Sequence, residues 1–291
     1  MAVPIAGALY AVLSPRLAEP VYRPTLFNPH KYPSGNYQRG VVNDVRARDV
    51  IFPTANGRKL HGWLFSRNDA SKSILINHGN TGNIADLHEL VSLLLQSGAS
   101  VFVYDYQGYG KSEGSPSVRG ICDDGLAAYD WLVSSEKVAP DDLVLYGESL
   151  GASVSCYVSE RRNVSGLILQ SSFSTLRRIA GESFPLLRIY PPWLFPRPYF
   201  DNLSVLRKAH PPLLVLHGLK DTEVSPAHAD ALFSQACEPK ALVHLPNTQH
   251  SEVDAADART FVEAVRSFLC NLRAPENGSL SLVRSAGYRQ E

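Results

Sequence analysis

Residues 143–151 read Leu143-Val144-Leu145-Tyr146-Gly147-Glu148-Ser149-Leu150-Gly151, an apolar run that leads directly into a G-x-S-x-G pattern. The next residues, 152–159, suit a helix, so the pattern lies between a predicted strand and a predicted helix. The two glycines permit a strained turn and close packing, which would raise the serine oxygen above a sheet. The stretch therefore predicts a nucleophilic serine at a strand-to-helix turn.

Apolar runs and amphipathic segments alternate on both sides of this motif. The predicted strands are 50–52, 59–65, 73–77, 100–105, 142–146, 166–170, 212–217 and 240–245. The predicted helices are 85–96, 118–134, 149–159, 226–236 and 254–272. Several strands are continuously apolar, which is typical of parallel strands covered on both faces. We therefore predict an α/β fold with a mostly parallel central sheet flanked by helices, beginning with an antiparallel hairpin at Asn56-Gly57.

The alternation also suggests how the chain is divided. Residues 1–48 are rich in proline and read as an extended N-terminal arm. Residues 49–272 form the predicted main domain, with a cap insertion at about 173–208 whose aromatic content argues against disorder. Residues 273–291 are polar, and we expect a disordered tail.

The composition excludes some partners and compartments. The 291 residues carry 28 Lys+Arg and 28 Asp+Glu, so no overall basic field would hold a nucleic acid. No apolar run reaches the roughly 20 residues of a membrane span. The four cysteines lie far apart, which favours free thiols and a cytoplasmic location. The apolar segment Ala2–Leu13 leaves membrane association or export as the alternative.

A nucleophilic serine needs a base, and the base needs an acid that orients it. Ser149 is the predicted nucleophile, because the second G-x-S-x-G pattern, around Ser112, leads into a loop and not into a helix. Asp221 and His250 follow the last two predicted strands, in the order expected after such a turn, and are the predicted acid and base. Glu223 is a rival acid. An Asx-turn for Asp221 and a surface loop position for His250 are the structural alternatives.

Acyl transfer also needs donors that stabilise an oxyanion. We predict the backbone N–H groups of Leu150, directly after the nucleophile, and of Asn80, in a glycine-containing loop after the third strand, with Thr81 as the fallback. His78 in the same loop is read as a buried structural residue. Asp254 and Asp257 follow the predicted base and are read as charges at a helix N-terminus.

Nothing in the sequence indicates a metal or a cofactor. The Gly110-Lys111-Ser112 sequence lacks the earlier glycine of a phosphate-binding loop, because Asp105 occupies that position. The His88-Glu89 pair lacks the second histidine of a zinc motif, because Ser92 occupies the fifth position. We therefore expect neither a metal site nor a cofactor.

Five motifs together resemble the α/β-hydrolase superfamily over about residues 50–270. They are His78-Gly79-Asn80-Thr81-Gly82-Asn83, the run 104–114, the motif 147–151, the run 217–225 and Asn247-Thr248-Gln249-His250. The run 104–114 is similar to that of small-cap serine hydrolases called α/β-hydrolase domain proteins, which include depalmitoylases. The resemblance implies the α/β-hydrolase fold with a small cap, the nucleophile, acid and base given above, and an oxyanion hole at Asn80 and Leu150. Residues 1–50 contain no cysteine, unlike the acylated N-terminus of the depalmitoylases.

These observations predict a serine hydrolase that cleaves carboxylic esters or thioesters through an acyl-enzyme on Ser149, with a small or lipid-like acyl ester as substrate. The residues expected to line its pocket are Thr81, Phe173, Phe184, Trp193, Phe195 and Tyr199. For each cap aromatic, packing inside the cap is the alternative. A peptidase or amidase with the same three residues, and a non-catalytic binding module on the same fold, remain open.

Overall fold

The computed structural model describes residues 10–33 and 40–272. Within them the chain folds around a nine-stranded sheet in the order β11-β10-β9-β8-β5-β7-β4-β3-β2. The strands are β1 (Asn28–Pro29), β2 (Val41–Val42), β3 (Val45–Pro53), β4 (Lys59–Phe65), β5 (Ser73–Asn77), β6 (Thr81–Gly82), β7 (Ser100–Tyr104), β8 (Leu143–Glu148), β9 (Gly166–Gln170), β10 (Leu213–Gly218) and β11 (Lys240–Leu245). The helices are α1 (Glu19–Leu26), α2 (His88–Gln96), α3 (Val118–Ser134), α4 (Leu150–Ser159), α5 (Leu176–Ser183), α6 (Asn202–Leu206), α7 (Ala227–Gln235) and α8 (Ala258–Asn271).

The sheet is parallel from β7 through β5, β8, β9 and β10 to β11, and antiparallel from β2 through β3 and β4 to β7. The predicted α/β class, the mostly parallel sheet and the antiparallel start are therefore confirmed. Strand β3 begins at Val45 and not at residue 50, because its pairing with β4 extends to Ala47. The predicted helix 85–96 divides into a 3₁₀ turn, Ile84–Asp86, and α2.

Two apolar cores cover the two faces of the sheet, and the strand alternation divides the side chains between them. Along β5, Leu75 packs in one core, whereas Ile74 and Ile76 pack in the other. Helices α3 and α4 contribute to the first core, and α2 and α8 to the second. Because both faces are covered, the strands can be continuously apolar, as their sequences indicated.

The N-terminal arm differs from the extended chain that its prolines suggested. It contains the eight-residue helix α1, with Pro20 in its first turn, where a missing N–H breaks no helical hydrogen bond. After α1 the chain pairs β1 with β6, directly after the Asn80 loop. The cap lies between β9 and β10 and consists of α5, two 3₁₀ turns and α6. The predicted tail, 273–291, and most of the apolar segment 2–13 lie outside the described residues.

Two further features concern thiols and membranes. The cysteines are unpaired, and Cys122 and Cys156 are buried, whereas Cys237 is half-buried and Cys270 exposed. Every helix in the described ranges is too short or too polar to cross a bilayer.

Candidate active site

Ser149 occupies a sharp turn between β8 and α4. Its backbone has φ 51° and ψ −114°, a conformation that costs an L-residue on the order of 1–3 kcal/mol. A Cβ on Gly147 would lie 2.4 Å from the Cα of Ala152, and one on Gly151 would lie 1.9 Å from the carbonyl oxygen of Asn77. Both positions therefore require glycine, and the turn holds the Ser149 side chain at the carboxyl edge of the sheet.

Ser149, His250 and Asp221 form a continuous hydrogen-bonded chain. The Nε2 of His250 lies 3.0 Å from Ser149 Oγ, and its Nδ1 lies 2.8 Å from Asp221 Oδ2. The three side chains follow β8, β10 and β11, which run parallel, so their carboxyl ends meet at one edge of the sheet. With the Nδ1–H donated to Asp221, Nε2 is free to accept the proton of the serine hydroxyl.

Several donors hold the Asp221 carboxylate in its charged form. Its Oδ1 accepts from the backbone N–H groups of Glu223 and Val224, at 2.9 and 2.8 Å, so the Asx-turn alternative is present as well. His217 approaches Oδ2 at 3.3 Å. Burial acts to raise the pKa of Asp221, but the hydrogen bonds from His217, His250 and Val224 outweigh it and lower the pKa. The carboxyl is therefore ionised and fixed in place.

His250 is more basic than an ordinary histidine. Burial acts to lower its pKa, but the Asp221 hydrogen bond and the charges of Asp221, Glu223 and Glu148 outweigh burial and raise it. The rival acid, Glu223, is exposed and lies 3.9 Å from Nε2, on the serine side of the ring. Asp221, and not Glu223, therefore occupies the orienting position at Nδ1.

The two residues predicted to donate their N–H groups to an oxyanion line the same pocket as Ser149. Leu150 begins α4, where the first N–H groups have no partner within the helix, and Asn80 follows β5. The Asn80 carbonyl accepts from Tyr109 Oη at 2.6 Å and from Asn28 N at 2.9 Å, which fixes that loop. His78 is buried, and its Nδ1 contacts the Gly79 carbonyl, in keeping with a structural position.

The loop that carries His250 is held by contacts that the sequence did not indicate. Asp257 Oδ2 accepts from the N–H groups of Asn247 and Thr248, at 2.7 and 2.8 Å, and from the Thr248 hydroxyl at 2.8 Å. Gln170 Nε2 donates to the Ser251 carbonyl at 2.9 Å. The spacing of ten residues between 247 and 257 matches no recognised motif, so the sequence indicates Asp257 only as a charge at a helix N-terminus.

An apolar pocket of about 680 Å³ opens at Ser149. Three of the predicted aromatics line it, namely Phe173, Phe184 and Phe195. The arm lines it as well, which the sequence did not predict, through Pro15, Val21, Tyr22, Thr25 and Leu26. Other lining residues come from α5 and the chain after it, among them Leu176, Ile179, Ala180, Leu186 and Leu187.

Three predicted pocket residues lie elsewhere. Trp193 projects from a 3₁₀ turn of the cap and is 61% exposed. The Tyr199 hydroxyl accepts from Arg197 Nε at 2.8 Å, and the Arg197 guanidinium lies over the Tyr199 ring. Thr81 is in β6 and lines a second cleft. Prolines break the helical period of this part of the cap, so the sequence does not indicate which aromatics turn inward.

The second cleft, of about 600 Å³, is polar and meets the apolar pocket at Asn80, Ser149, Glu223 and His250. Its carboxylates are Asp86, Glu89, Glu148, Glu223 and Glu252, and no Lys or Arg of segments 10–33 and 40–272 lines it. Burial raises the pKa of Glu148, which directly precedes Ser149. Ser149 therefore lies between the apolar pocket and the acidic second cleft.

Ser112, the serine of the second pattern, is buried away from this junction. Its Oγ donates to the Asp105 carbonyl at 2.6 Å and accepts from the His61 N–H at 2.9 Å, so it braces the loop after β7. The described residues hold no group of three or more His, Cys, Asp or Glu side chains arranged for a metal ion.

Comparison with known proteins adds the family. Residues 68–208 match the family described as "Serine aminopeptidase, S33". The protein Rv2307c of Mycobacterium tuberculosis is 32% identical over 76% of this chain and 79% of its own length. The α/β hydrolase domain-containing protein WAV2 of Arabidopsis thaliana is 28% identical over 76% and 78%.

Solved structures show the same fold. The esterase Pf2001 of Pyrococcus furiosus covers 84% of this chain and 98% of its own, with a TM-score of 0.68 at 21% identity. The strand order, the serine turn and these relatives lead to one conclusion: the chain belongs to the α/β-hydrolase superfamily.

Proposed function

We propose that the protein is a serine hydrolase that cleaves carboxylic esters or thioesters through an acyl-enzyme on Ser149. The hydrogen-bonded chain from Ser149 through His250 to Asp221, beside an apolar pocket, is the observation that carries the proposal. Esterase neighbours of the same fold agree with it.

The geometry supports a two-step reaction. His250 Nε2 accepts the proton as Ser149 Oγ attacks the acyl carbon, and the N–H groups of Leu150 and Asn80 stabilise the oxyanion. The protonated His250 then donates its proton to the leaving oxygen or sulfur, and Ser149 keeps the acyl group. A water molecule then attacks the acyl carbon and gives its proton to His250, and His250 passes that proton to Ser149 Oγ as the acyl–oxygen bond breaks and the acid leaves. Asp221 stabilises the imidazolium in both steps.

The apolar pocket and the polar cleft suggest how a substrate would lie. The acyl chain fits the apolar pocket, where burial of each methylene is favourable by about 0.8 kcal/mol. The alcohol or thiol part would then extend toward the polar cleft. His250 lines both the pocket and the cleft and can therefore reach the leaving group.

Covalent labelling with a fluorophosphonate tests the proposal, with intact mass as the readout. Wild type and Ser112→Ala should each gain one adduct, whereas Ser149→Ala should gain none, because Ser149 Oγ contacts the ring of His250 and Ser112 Oγ contacts only main-chain groups. Circular dichroism of each variant checks folding. A folded wild type that takes no label, or a Ser149→Ala protein that still takes one, would overturn the proposal and favour a non-catalytic binding module.

A second candidate is a peptidase that uses the same three residues. Two observations favour it: the matched family is described as a serine aminopeptidase, and the polar cleft offers Glu148, Glu223 and Glu252 to a positively charged amine. Parallel assays with p-nitrophenyl acyl esters and aminoacyl p-nitroanilides separate the two. Turnover of anilides above that of esters would establish the peptidase and reject the esterase.

A further inference from the structure

Large exposed apolar side chains are concentrated on two segments. Among the described residues fourteen such side chains are exposed, and ten of them belong to the arm, 10–21, or to the cap, 184–199. The eight that we call the apolar rim are Val12, Leu13, Leu17, Val21, Phe184, Leu186, Ile189 and Trp193. Scattered single residues would need no explanation, but this concentration indicates an interaction surface.

Direct contacts join the two segments into one surface. The Tyr10 ring stacks on Tyr190 at a centroid distance of 4.8 Å, and its hydroxyl donates to the Ile189 carbonyl at 2.8 Å. The Arg16 N–H donates to the Leu194 carbonyl at 2.8 Å. The arm therefore lies against the cap.

Part of the apolar rim also lines the pocket. Val21, Phe184 and Leu186 are exposed to solvent and also line the pocket that reaches Ser149. Leu186 is 81% exposed, so the apolar lining continues without a break onto the outer surface. An acyl chain that leaves an apolar phase could enter the pocket without crossing water.

The same two segments are basic. Segments 10–33 and 173–208 together carry nine Lys or Arg and three Asp or Glu, although the whole chain is balanced. Three guanidiniums are bonded to main-chain carbonyls: Arg16 to Trp193, Arg177 to Tyr190 and Arg188 to Gly181. These contacts fix the side chains without neutralising their charge. The surface thus combines apolar and cationic groups.

We propose that the apolar rim docks on the surface of an anionic phospholipid bilayer. Exposed apolar side chains with flanking Arg and Lys are the composition that binds such an interface. A second copy of the chain fits less well, because a self-complementary contact would place two cationic surfaces together. Docking is inferred from the surface alone; that it serves a membrane-borne acyl ester rests on the proposed function.

Trp193 offers a direct readout of docking. Of the three tryptophans in the chain, Trp63 is buried and Trp131 packs against Phe52 and Phe102, whereas Trp193 is exposed in the rim. Phosphatidylcholine vesicles with about 30 mol% phosphatidylglycerol should shift the emission of the full chain to the blue, and brominated lipid should quench it. In Trp193→Phe the protein should still float with the vesicles, but the spectral change should be lost.

Flotation of variants tests the surface itself. Leu13→Ser with Ile189→Ser should lower the vesicle partition coefficient by about tenfold or more, because two side chains of the rim lose their apolar contact. The matched control is Ile51→Ser. Ile51 is 58% exposed and lies on β3, next to the edge strand β2 and outside both the arm and the cap. Its partition should stay within about twofold of wild type. High salt or vesicles without phosphatidylglycerol should weaken wild-type binding.

Activity assays separate this proposal from the proposed function. The double variant replaces no pocket-lining residue, so labelling by the fluorophosphonate and turnover of a soluble short-chain ester should match wild type, whereas turnover of a vesicle-borne ester should fall. Loss of labelling with intact vesicle binding would remove the hydrolase and leave the docking surface. Failure of the wild-type protein to float with either vesicle type would overturn the docking proposal. So would equal partition of wild type and double variant, or a dimer that becomes monomeric in the double variant.

Discussion

His250 lies between two carboxylates that differ in exposure. Asp221 is buried and contacts Nδ1, whereas Glu223 is exposed and lies 3.9 Å from Nε2. Both negative charges favour the imidazolium and act to raise the pKa of His250. A base must be neutral to accept the serine proton, so activity should be lost as the pH falls through this raised pKa.

Glu223→Gln isolates the contribution of the exposed carboxylate. Removal of its charge should lower the pKa of His250, and the acid limb of the kcat/KM profile for a soluble ester should move to lower pH. The shift should be larger at low ionic strength, because salt screens an exposed pair. Initial rates across the acid range at two salt concentrations provide the measurement. An acid limb that stays in place at low salt would contradict this account of His250.

At the scale of elements, the start of α8 fixes the loop that carries His250. Asp257 directly precedes α8 and accepts from the N–H groups of Asn247 and Thr248 and from the Thr248 hydroxyl. The Asp254 carboxylate, in the same short segment, accepts from Ala256 N–H. The Asp257 carboxylate therefore positions the loop that carries His250, whereas the Asp254 carboxylate stabilises only a local turn.

Asp257→Ala should lower the free energy of unfolding by about 1–3 kcal/mol, because it leaves buried donors without an acceptor. It should also lower kcat by about tenfold with little change in KM, since a small displacement of His250 impairs proton transfer but not binding. Asp257→Asn, which can place one oxygen toward the same donors, should recover part of kcat. Chemical denaturation and steady-state kinetics measure both effects. Asp254→Ala is the matched control. An equal loss of kcat and of unfolding free energy in that variant would show that Asp257 does not position His250.

At the scale of the whole molecule, two segments far apart in the chain enclose the pocket. The arm lies at the start of the chain and the cap lies between β9 and β10, yet both line the pocket that reaches Ser149. The length of the pocket is therefore set by the packing of arm and cap and not by the motifs around Ser149. Substrate length should change when this packing changes, while the chemistry at Ser149 does not.

Ile179→Trp tests this separation. Ile179 is on α5 and lines the pocket, so a larger side chain there should shorten it. Turnover of an acetyl ester should stay within about threefold, whereas that of an ester with about twelve acyl carbons should fall by about tenfold or more. Ile189→Trp, in the exposed part of the cap, is the control. A uniform loss over all chain lengths would indicate that Ile179 does not limit the acyl pocket.

The sequence alone determined the fold class and predicted Ser149, Asp221 and His250, in that order along the chain, as three residues that meet in space, and the structure brings them together. It could do so because parallel strands have apolar runs of recognisable length, and because loops that follow them meet at one edge of the sheet. The strained turn at Ser149 likewise depends on glycines only two residues away.

Only the tertiary structure decided what surrounds these residues. The contacts of Asp257 with residues 247–248, the part that the arm plays in the pocket, and the outward positions of Trp193 and Tyr199 all depend on packing between segments without regular periodicity. In the cap, prolines remove the 3.6-residue repeat that would assign each side chain to a face. The inward or outward position of an aromatic there is settled by the neighbour that it meets in space, and a linear sequence does not contain that neighbour.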